Sequence, residues 1–475
     1  MTDAITGHDL IKAGMKPGKW LKPALEAANA AITAGGAHAD GIAAAMAFAP
    51  PPALPLRQQG ATPFYKNIIG ETPEEQANID AVSSSMIELM RTPVISAGAV
   101  MPDACPAGGV GTIPVGGVAV SEGIHPGMHS ADICCSMAIS VFPKTSPADL
   151  LDAVHGVTHF GPGGRSGSRS GGRQGDRQLT PPTDLLEAFE QNRYLKQQVP
   201  VAIEHFGTQG DGNHFAFVGT LKSTGETALV THHGSRAPGA RLYKEGMKLA
   251  EHFRRILSPE TLKQNAWIPA DTAEGETYWA ALQIIRAWTK ANHLVIHDQA
   301  ATKLATKVSD RFWNEHNFVF RRSDGLFYHA KGATPAFDGW ADDATDLTLI
   351  PLNMAEPVLI ARGRNAAHGL GFSPHGAGRN FSRRQHKRLL AERSDAEIFA
   401  EETAGIDARF YMGTPDISEL PSAYKNAAAV RAQIEQFDLA EIVDEVIPHG
   451  SIMAGDWQQN APWRQKKPVA NAEPT

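Results

Sequence analysis

The sequence predicts an α+β fold: one large domain with a central mixed or antiparallel sheet core and surrounding helices. Three observations carry this reading. Residues 100–140 alternate glycines with short apolar runs, as strands joined by tight turns do. Longer segments before and after them carry apolar residues at helical spacing. The two kinds of segment do not alternate as βαβ units, and no fixed-period repeat occurs.

The elements follow in order. Residues 21–34 are Ala-rich and read as a helix. Thr72 is placed to cap a second helix, with Pro73 at its first position and Glu75 able to close a capping box. Ile79, Val82, Met86 and Leu89 then fall at helical spacing. Residues 161–177 are a low-complexity Gly/Ser/Arg segment and read as a loop. Strands are expected at 214–219 and 228–232, and helices at 241–257 and 277–308. Residues 347–361 read as two strands around Pro351. Residues 381–402 and 426–446 read as helices, and the tail from Trp457 is polar. The predicted organisation is an N-terminal helical extension packed on the core (1–99), a core domain (100–456) and a polar tail (457–475).

The chain has 475 residues, a formal net charge of −7 and 42% apolar residues. It therefore has enough apolar content for a core and no global basic field. A nucleic acid would have to be held by local patches. The three cysteines, Cys105, Cys134 and Cys135, argue against a disulfide framework and fit a reducing cytosol. The N-terminus carries Asp3, His8 and Asp9 with no apolar segment, unlike a signal peptide. The longest apolar stretch, 41–55, is interrupted by Pro50, Pro51, Pro52 and Pro55, so no membrane span is expected.

Four segments each feed reactive groups into a loop mouth. Asp132 and Cys135 flank Ile133-Cys134 in a Gly/Ser-rich stretch. His214 follows a glycine turn at the head of a strand. His232 and His233 end the next strand. His316 lies in a polar break after a long helix. Imidazole, thiolate and carboxylate together suit Mn, Fe, Co or Zn, and a bridging thiolate permits two ions. The spacing is not a local zinc signature, and Cys105, Cys134, His125, His129 and His233 remain competing ligands.

The sharpest local motif runs from Gly371 through Ser373-Pro374-His375-Gly376-Ala377-Gly378-Arg379 to Ser382. Pro374 keeps Ser373 out of helical geometry. The glycines expose backbone amides just before a basic segment with Arg383, Arg384, Lys387 and Arg388, a suitable anion site. A histidine at a phosphate site can act as a covalent nucleophile, a general acid or a simple phosphate donor. Residues 165–177 and 379–388 are basic in an acidic protein, and either can track a phosphate backbone.

These segments, taken in order, resemble the RtcB family of RNA ligases from about Val100 to Gly455. The matching stretches are MPDACPAGG with GGVAV, ADICCSM, FGTQGDGNHF, VTHHGSRAPGARL, EHNF, HAKGATPAF, LIPLNMA, PHGAGRNFSR and AYKN. The resemblance implies an RtcB-like catalytic domain over 100–456. It also implies GTP- and Mn-dependent joining of an RNA 2′,3′-cyclic phosphate or 3′-phosphate end to a 5′-hydroxyl. Two Mn ions are implied, with Zn or Co as alternatives. His375 would be the nucleophile that becomes guanylylated, and Asp103 would assist the RNA steps. Asp132, Cys135, His214, His232 and His316 would hold the metals. Asn213, Phe215, Pro351, Met354, Gly376, Ala377 and Gly378 would bind the nucleotide. Arg236, Arg379 and Lys331 would contact RNA.

The departures fall around the nucleotide. Where the family usually has a glutamate three residues after the GNH histidine, this chain has Phe217. The usual C-terminal lysine is Ala454, MPDVH is MPDACP with Cys105, and the nucleotide stretch reads Pro351-Leu-Asn-Met-Ala355. Losing a carboxylate that accepts from guanine weakens guanine selectivity. Two other readings follow: a metal-dependent RNA-end phosphoesterase without nucleotide transfer, and a non-catalytic RNA-binding paralogue.

Overall fold

Period-two burial builds the main sheet. In the strand Ser136–Phe142, Met137, Ile139 and Val141 enter one apolar cluster and Phe142 the other. In Phe215–Leu221, Phe217 and Leu221 enter the first cluster, Ala216 and Val218 the second. Thr227–His233 divides likewise, with Ala228 and Val230 against Leu229. Side chains alternate across a strand, so a sheet apolar on both sides has both faces covered. The helices Pro147–Val157 and Ala273–Lys303 cover the second face through Leu150, Leu151, Val154 and Ala300.

These strands belong to an eight-stranded sheet in a computed structural model that describes residues 4–16, 18, 20–49, 52–165 and 178–456. The order is Leu347–Pro351, Val358–Gly363, Ala440–Met453, Phe215–Leu221, Thr227–His233, Ser136–Phe142 and Asp310–Glu315. All neighbours on this path are antiparallel. The eighth strand, Asp407–Phe410, runs parallel to the end of Ala440–Met453. A five-stranded sheet runs Phe64–Lys66, Ile95–Cys105, Val115–Ser121, Phe327–Lys331 and Asn317–Arg321, with its first pair parallel. The architecture is α+β with mixed and antiparallel sheets, as the strand-and-helix pattern implied. Within the described residues, no helix is long and apolar enough to cross a membrane.

The chain divides into two compact units, Met1–Leu56 with His252–Thr261, and Arg57–Glu251 with Leu262–Thr475. The smaller contains the helices Gly7–Lys12, Leu21–Thr33 and His38–Met46, around Leu10, Met15, Ala24, Ala28 and Ala45. In the larger, the helix Pro73–Leu89 buries Ile79, Val82, Met86 and Leu89 against Ile95, Val100 and Ala119. The Thr72 hydroxyl accepts from the Glu75 amide at 3.2 Å. Glu75 does not close the box onto Thr72; its carboxylate accepts from the Glu71 amide at 2.8 Å.

Three local expectations change. The helix read at 381–402 is two helices, Arg383–Leu389 and Asp395–Glu402, because Ser394 caps the second with its own box. The helix read at 426–446 is Ala427–Gln436 only. Asp438 takes a left-handed φ of 44°, and Ala440–Met453 then pairs on both sides as a strand. Pairing with two neighbours overrides weak helical spacing. His316 follows no helix end but sits at the junction of Asp310–Glu315 and Asn317–Arg321. The low-complexity residues 166–177 and the tail from Trp457 lie outside the described residues.

Phe142 is fully buried where the sheet meets its helical layer. Phe142→Ala is expected to lower unfolding free energy by about 3–5 kcal/mol. The measurement is urea denaturation, read as a lower midpoint at unchanged slope.

Candidate active site

Antiparallel neighbours start and stop at opposite ends, so strand ends that alternate along the chain meet at one sheet edge. The strand Phe215–Leu221 starts directly after His214, and Thr227–His233 finishes on His232 and His233. Ser136–Phe142 starts directly after Cys135, and Asp310–Glu315 finishes directly before His316. Register fixes the rest: Phe215 and Met137 both face His232, and Ser136 faces Glu315. Four distant segments are thereby brought to one edge.

Their donor atoms converge. Cys135 Sγ lies 3.2 Å from His232 Nε2 and 3.6 Å from His214 Nε2. His214 Nε2 lies 3.0 Å from Asp132 Oδ2, and the Nε2 atoms of His232 and His316 are 3.1 Å apart. Two of the rings are aimed from behind: His214 Nδ1 donates to the Gln209 carbonyl at 2.7 Å and His232 Nδ1 to the Asn213 carbonyl at 3.0 Å. This turns both Nε2 lone pairs inward, the usual arrangement behind metal-binding histidines. Gly234 makes room for the carboxylate, since a Cβ there would stand 2.0 Å from Asp132 Oδ1.

The residues fit a divalent cation. Asp132, Cys135 and His214 form one group of ligand atoms, and Cys135, His232 and His316 a second, each within 4.8 Å. Cys135 belongs to both. Burial holds the His232 imidazole down to about 3, so the ring is neutral and its lone pair free. Burial and the neighbouring Asp132 push the Cys135 thiol up, so only a nearby cation would favour the thiolate. Burial raises the Asp132 carboxyl, but His214 outweighs it and brings it to about 2.

His375 stands beside this centre, its ring centroid 4.9 Å from that of His316. It is held by Asp103, which is fully buried. Asp103 Oδ2 accepts from the His375 amide at 3.1 Å and from ring Nδ1 at 2.5 Å. A carboxylate only accepts, so Nδ1 carries the proton and Nε2 keeps a lone pair. Asp103 lies in the irregular stretch between the pairs Val100–Gly117 and Cys105–Val115. Gly378 has a φ of +72°, and a Cβ there would come 2.0 Å from the Asp103 carbonyl. Lys425, buried, fastens the same stretch by donating to the carbonyls of Pro102 at 3.1 Å and Ala104 at 2.7 Å.

One cavity of about 340 Å³ is lined by Asp132, Cys135, His232, His316 and His375. Asn213, Phe215, Pro351, Met354, Gly376, Ala377 and Gly378 also line it. So do Lys331 and Arg379, whereas Arg236 does not. Arg379 donates to Ser418 O at 2.6 Å and Glu419 at 2.7 Å and lies over the Tyr424 ring. Lys331 donates to Ile113 O at 3.2 Å, and burial pushes its ammonium pKa down. Arg236 bonds Thr208 and Gly161 O, each at 3.2 Å. In the basic helix, Arg383 pairs with Glu419 and Lys387 with Asp416, while Arg384 and Arg388 are exposed.

The competing ligands lie elsewhere. His125 bonds Ser121 at 2.7 Å and Asn265 O at 2.8 Å. His129 faces Ser130 O, and His233 stacks on His293 at 3.4 Å. Cys134 is buried near Glu315 and Arg286, and Cys105 lines the cavity away from the donor groups. Sequence reasoning assigned no role to Glu419, Tyr424 or Lys425. The AYKN stretch was the only signal for Tyr424 and Lys425, and Glu419 had none, because nothing local shows that Lys425 reaches back to residues 102–104.

The family model of the tRNA-splicing ligase RtcB matches residues 168–454, more than half of the chain. The RNA-splicing ligase RtcB of Escherichia coli (strain K12) is 25% identical over 359 residues, 69% of this chain and 84% of that protein. The RNA-splicing ligase RtcB1 of Escherichia coli (strain ATCC 25922) is 26% identical over 255 residues, 50% of this chain and 59% of that protein. The tRNA-splicing ligase RtcB of Nanoarchaeum equitans (strain Kin4-M) is 25% identical over 285 residues, 52% of this chain and 59% of that protein. With the family model matched over more than half of its length, the chain belongs to the tRNA-splicing ligase RtcB family.

Proposed function

We propose that this protein is a metal-dependent RNA-end ligase, with residues 100–456 as its catalytic domain. It joins a 3′-phosphate, or a 2′,3′-cyclic phosphate once hydrolysed, to a 5′-hydroxyl. The observation that carries this reading is the meeting of two donor groups and an Asp103-held His375 at one cavity, which Asp132, Cys135, His232, His316 and His375 line. The relatives named as RNA-splicing ligases bring the RNA substrate. Free thiols and the lack of a membrane-crossing helix among the described residues accord with a cytoplasmic enzyme.

Asp132, Cys135, His214, His232 and His316 would hold one or two divalent ions, Mn by resemblance and Zn or Co otherwise. Such ions supply positive charge against phosphate oxygens. The chain's own groups do the rest. Asp103 keeps the His375 proton on Nδ1, so the Nε2 lone pair attacks the α-phosphorus of a nucleoside triphosphate. The N–P bond forms as the bond to pyrophosphate breaks. An RNA 3′-phosphate oxygen then attacks that phosphorus, the N–P bond breaks and His375 is restored. The 5′-hydroxyl attacks the activated RNA phosphate, a nucleoside monophosphate leaves, and the hydroxyl proton passes to solvent. GTP is the donor that the resemblance implies, although the transfer itself is indifferent to the base. Amides of Gly376, Ala377 and Gly378 suit the phosphates, and Arg384 and Arg388 are exposed cations available to an RNA backbone.

Two outcomes test this. With Mn and α-labelled nucleotides, the protein is expected to form an acid-labile adduct that His375→Ala abolishes while keeping its bound metal. Equal labelling of both proteins sinks the mechanism. Asp132→Asn and Cys135→Ser are expected to weaken Mn retention at least about tenfold, since losing even a supporting group of a metal site costs that much. Metal analysis after dialysis, with circular dichroism as a folding control, checks it.

A further inference from the structure

The helix-facing side of the main sheet changes character along its length. Ser136, Ser140 and Phe142 leave one face of their strand, and Leu229, Thr231 and His233 share that face by register. His232 leaves the opposite one. Far from the donor edge the shared face is apolar: Phe142 and Leu229 pack with Ala300 of the helix Ala273–Lys303. At the donor edge it is polar. There the same helix presents Asn292, His293 and His297, and these three, with Ser136, Ser140, Thr231 and His233, are fully buried. Burying polar groups costs free energy that apolar side chains of similar size would avoid. Their confinement to this end of the sheet calls for a reason.

The bonds they make supply one, because each reaches a segment that carries a metal donor. Asn292 Oδ1 accepts from the Gly207 amide at 2.6 Å, and its Nδ2 donates to the Thr208 carbonyl at 2.9 Å. The next carbonyl, that of Gln209, is the one that aims His214. His293 reaches the other two strands. Its Nε2 lies 3.1 Å from Ser136 Oγ and 3.2 Å from His233 O, and its Nδ1 lies 2.6 Å from Thr231 Oγ1. Ser136 follows Cys135, and Thr231 precedes His232. His297 Nε2 lies 2.8 Å from the same Thr231 hydroxyl, and its Nδ1 lies 2.8 Å from Ser140 Oγ. Burial disfavours charge on both rings, so each carries one N–H. The His233 carbonyl only accepts, which gives the chain one direction. Ser140 donates to His297, His297 to Thr231, Thr231 to His293, and His293 to His233 O. No member turns without breaking the next bond.

We propose that Asn292 and His293 are positioning residues of the metal centre: from one helix they hold the segments bearing His214, Cys135 and His232, and so set the affinity and coordination geometry of the ion without touching it. This rests on the metal-dependent reading above. The probe is cobalt(II) alone, titrated into the full chain after dialysis against a chelator. Thiolate-to-cobalt absorption reports the bond to Cys135, and the visible ligand-field bands report coordination geometry. The unaltered protein is expected to develop both. Asn292→Ala and His293→Leu are expected to weaken cobalt binding at least about tenfold, the scale of losing a hydrogen-bonded support behind a metal ligand, and to shift the visible bands. Thr231→Val, which removes only the hydroxyl that joins the two rings, is expected to do the same and covers the case of a variant that fails to fold; Thr231→Ser is expected to restore binding. Phe142→Ala, in the apolar part of the same face, is expected to lose stability but keep the affinity and the spectrum. Unchanged affinity and spectrum in the folded Asn292, His293 and Thr231 variants overturn the inference and leave the metal reading standing. An equal loss in Phe142→Ala also overturns it, by making the layer merely structural. Absence of cobalt absorption in the unaltered protein overturns both.

Discussion

Antiparallel pairing of Phe215–Leu221, Thr227–His233, Ser136–Phe142 and Asp310–Glu315 is the constraint on which the site depends. Each strand carries a candidate ligand at or just outside one end, and antiparallel neighbours alternate direction. The four ends therefore meet at one edge. A slip of one residue would turn Met137 and Phe217 out of the apolar cluster, so burial on both faces holds the register. The same force that stabilises the sheet thus fixes where His214, His232, Cys135 and His316 meet.

Beyond the sheet edge, carbonyls and one carboxylate do the aiming. Carbonyls of Gln209 and Asn213 turn His214 and His232 toward a common point. Asp103 does the same for His375 from the five-stranded sheet, on a stretch that leaves regular pairing with Val115–Ser121. The cost of burying so many polar groups is offset only where each finds a partner or an ion. Burial disfavours charge on the His232 imidazole and on the Cys135 thiol alike, so a cation is the partner that would suit this donor set.

The cavity divides by chemistry. Its charged end is made by strand termini and the glycine loop at 376–378. Its other end is a continuation of the sheet's own apolar cluster, with Phe217 and Val358 belonging to both. Ala454, where the family usually has lysine, is fully buried in the opposite cluster with Phe160 and Leu151. The reactive groups and the apolar end of the cavity therefore rest on separate features of one scaffold, and one can change while the other stays.

By itself the sequence determined the α+β class, the glycine turns before His214 and His375, and the set of candidate donors. These are local properties: period-two and helical spacing, turn residues and motif order. It also carried the departures at Phe217 and Ala454. Spacing alone did not separate Cys135 from Cys134, or His232 from His233, because neighbouring residues differ only in which side of the chain they leave; the family motifs singled out Cys135 and His232. It misread 440–446 as helix, since weak helical spacing there yields to pairing with two strands. Only the tertiary structure decided that Asp103 holds His375 across 272 positions and that Glu419 is neutralised by Arg379 and Arg383. Such contacts depend on chain crossings between two sheets, and no local spacing encodes them.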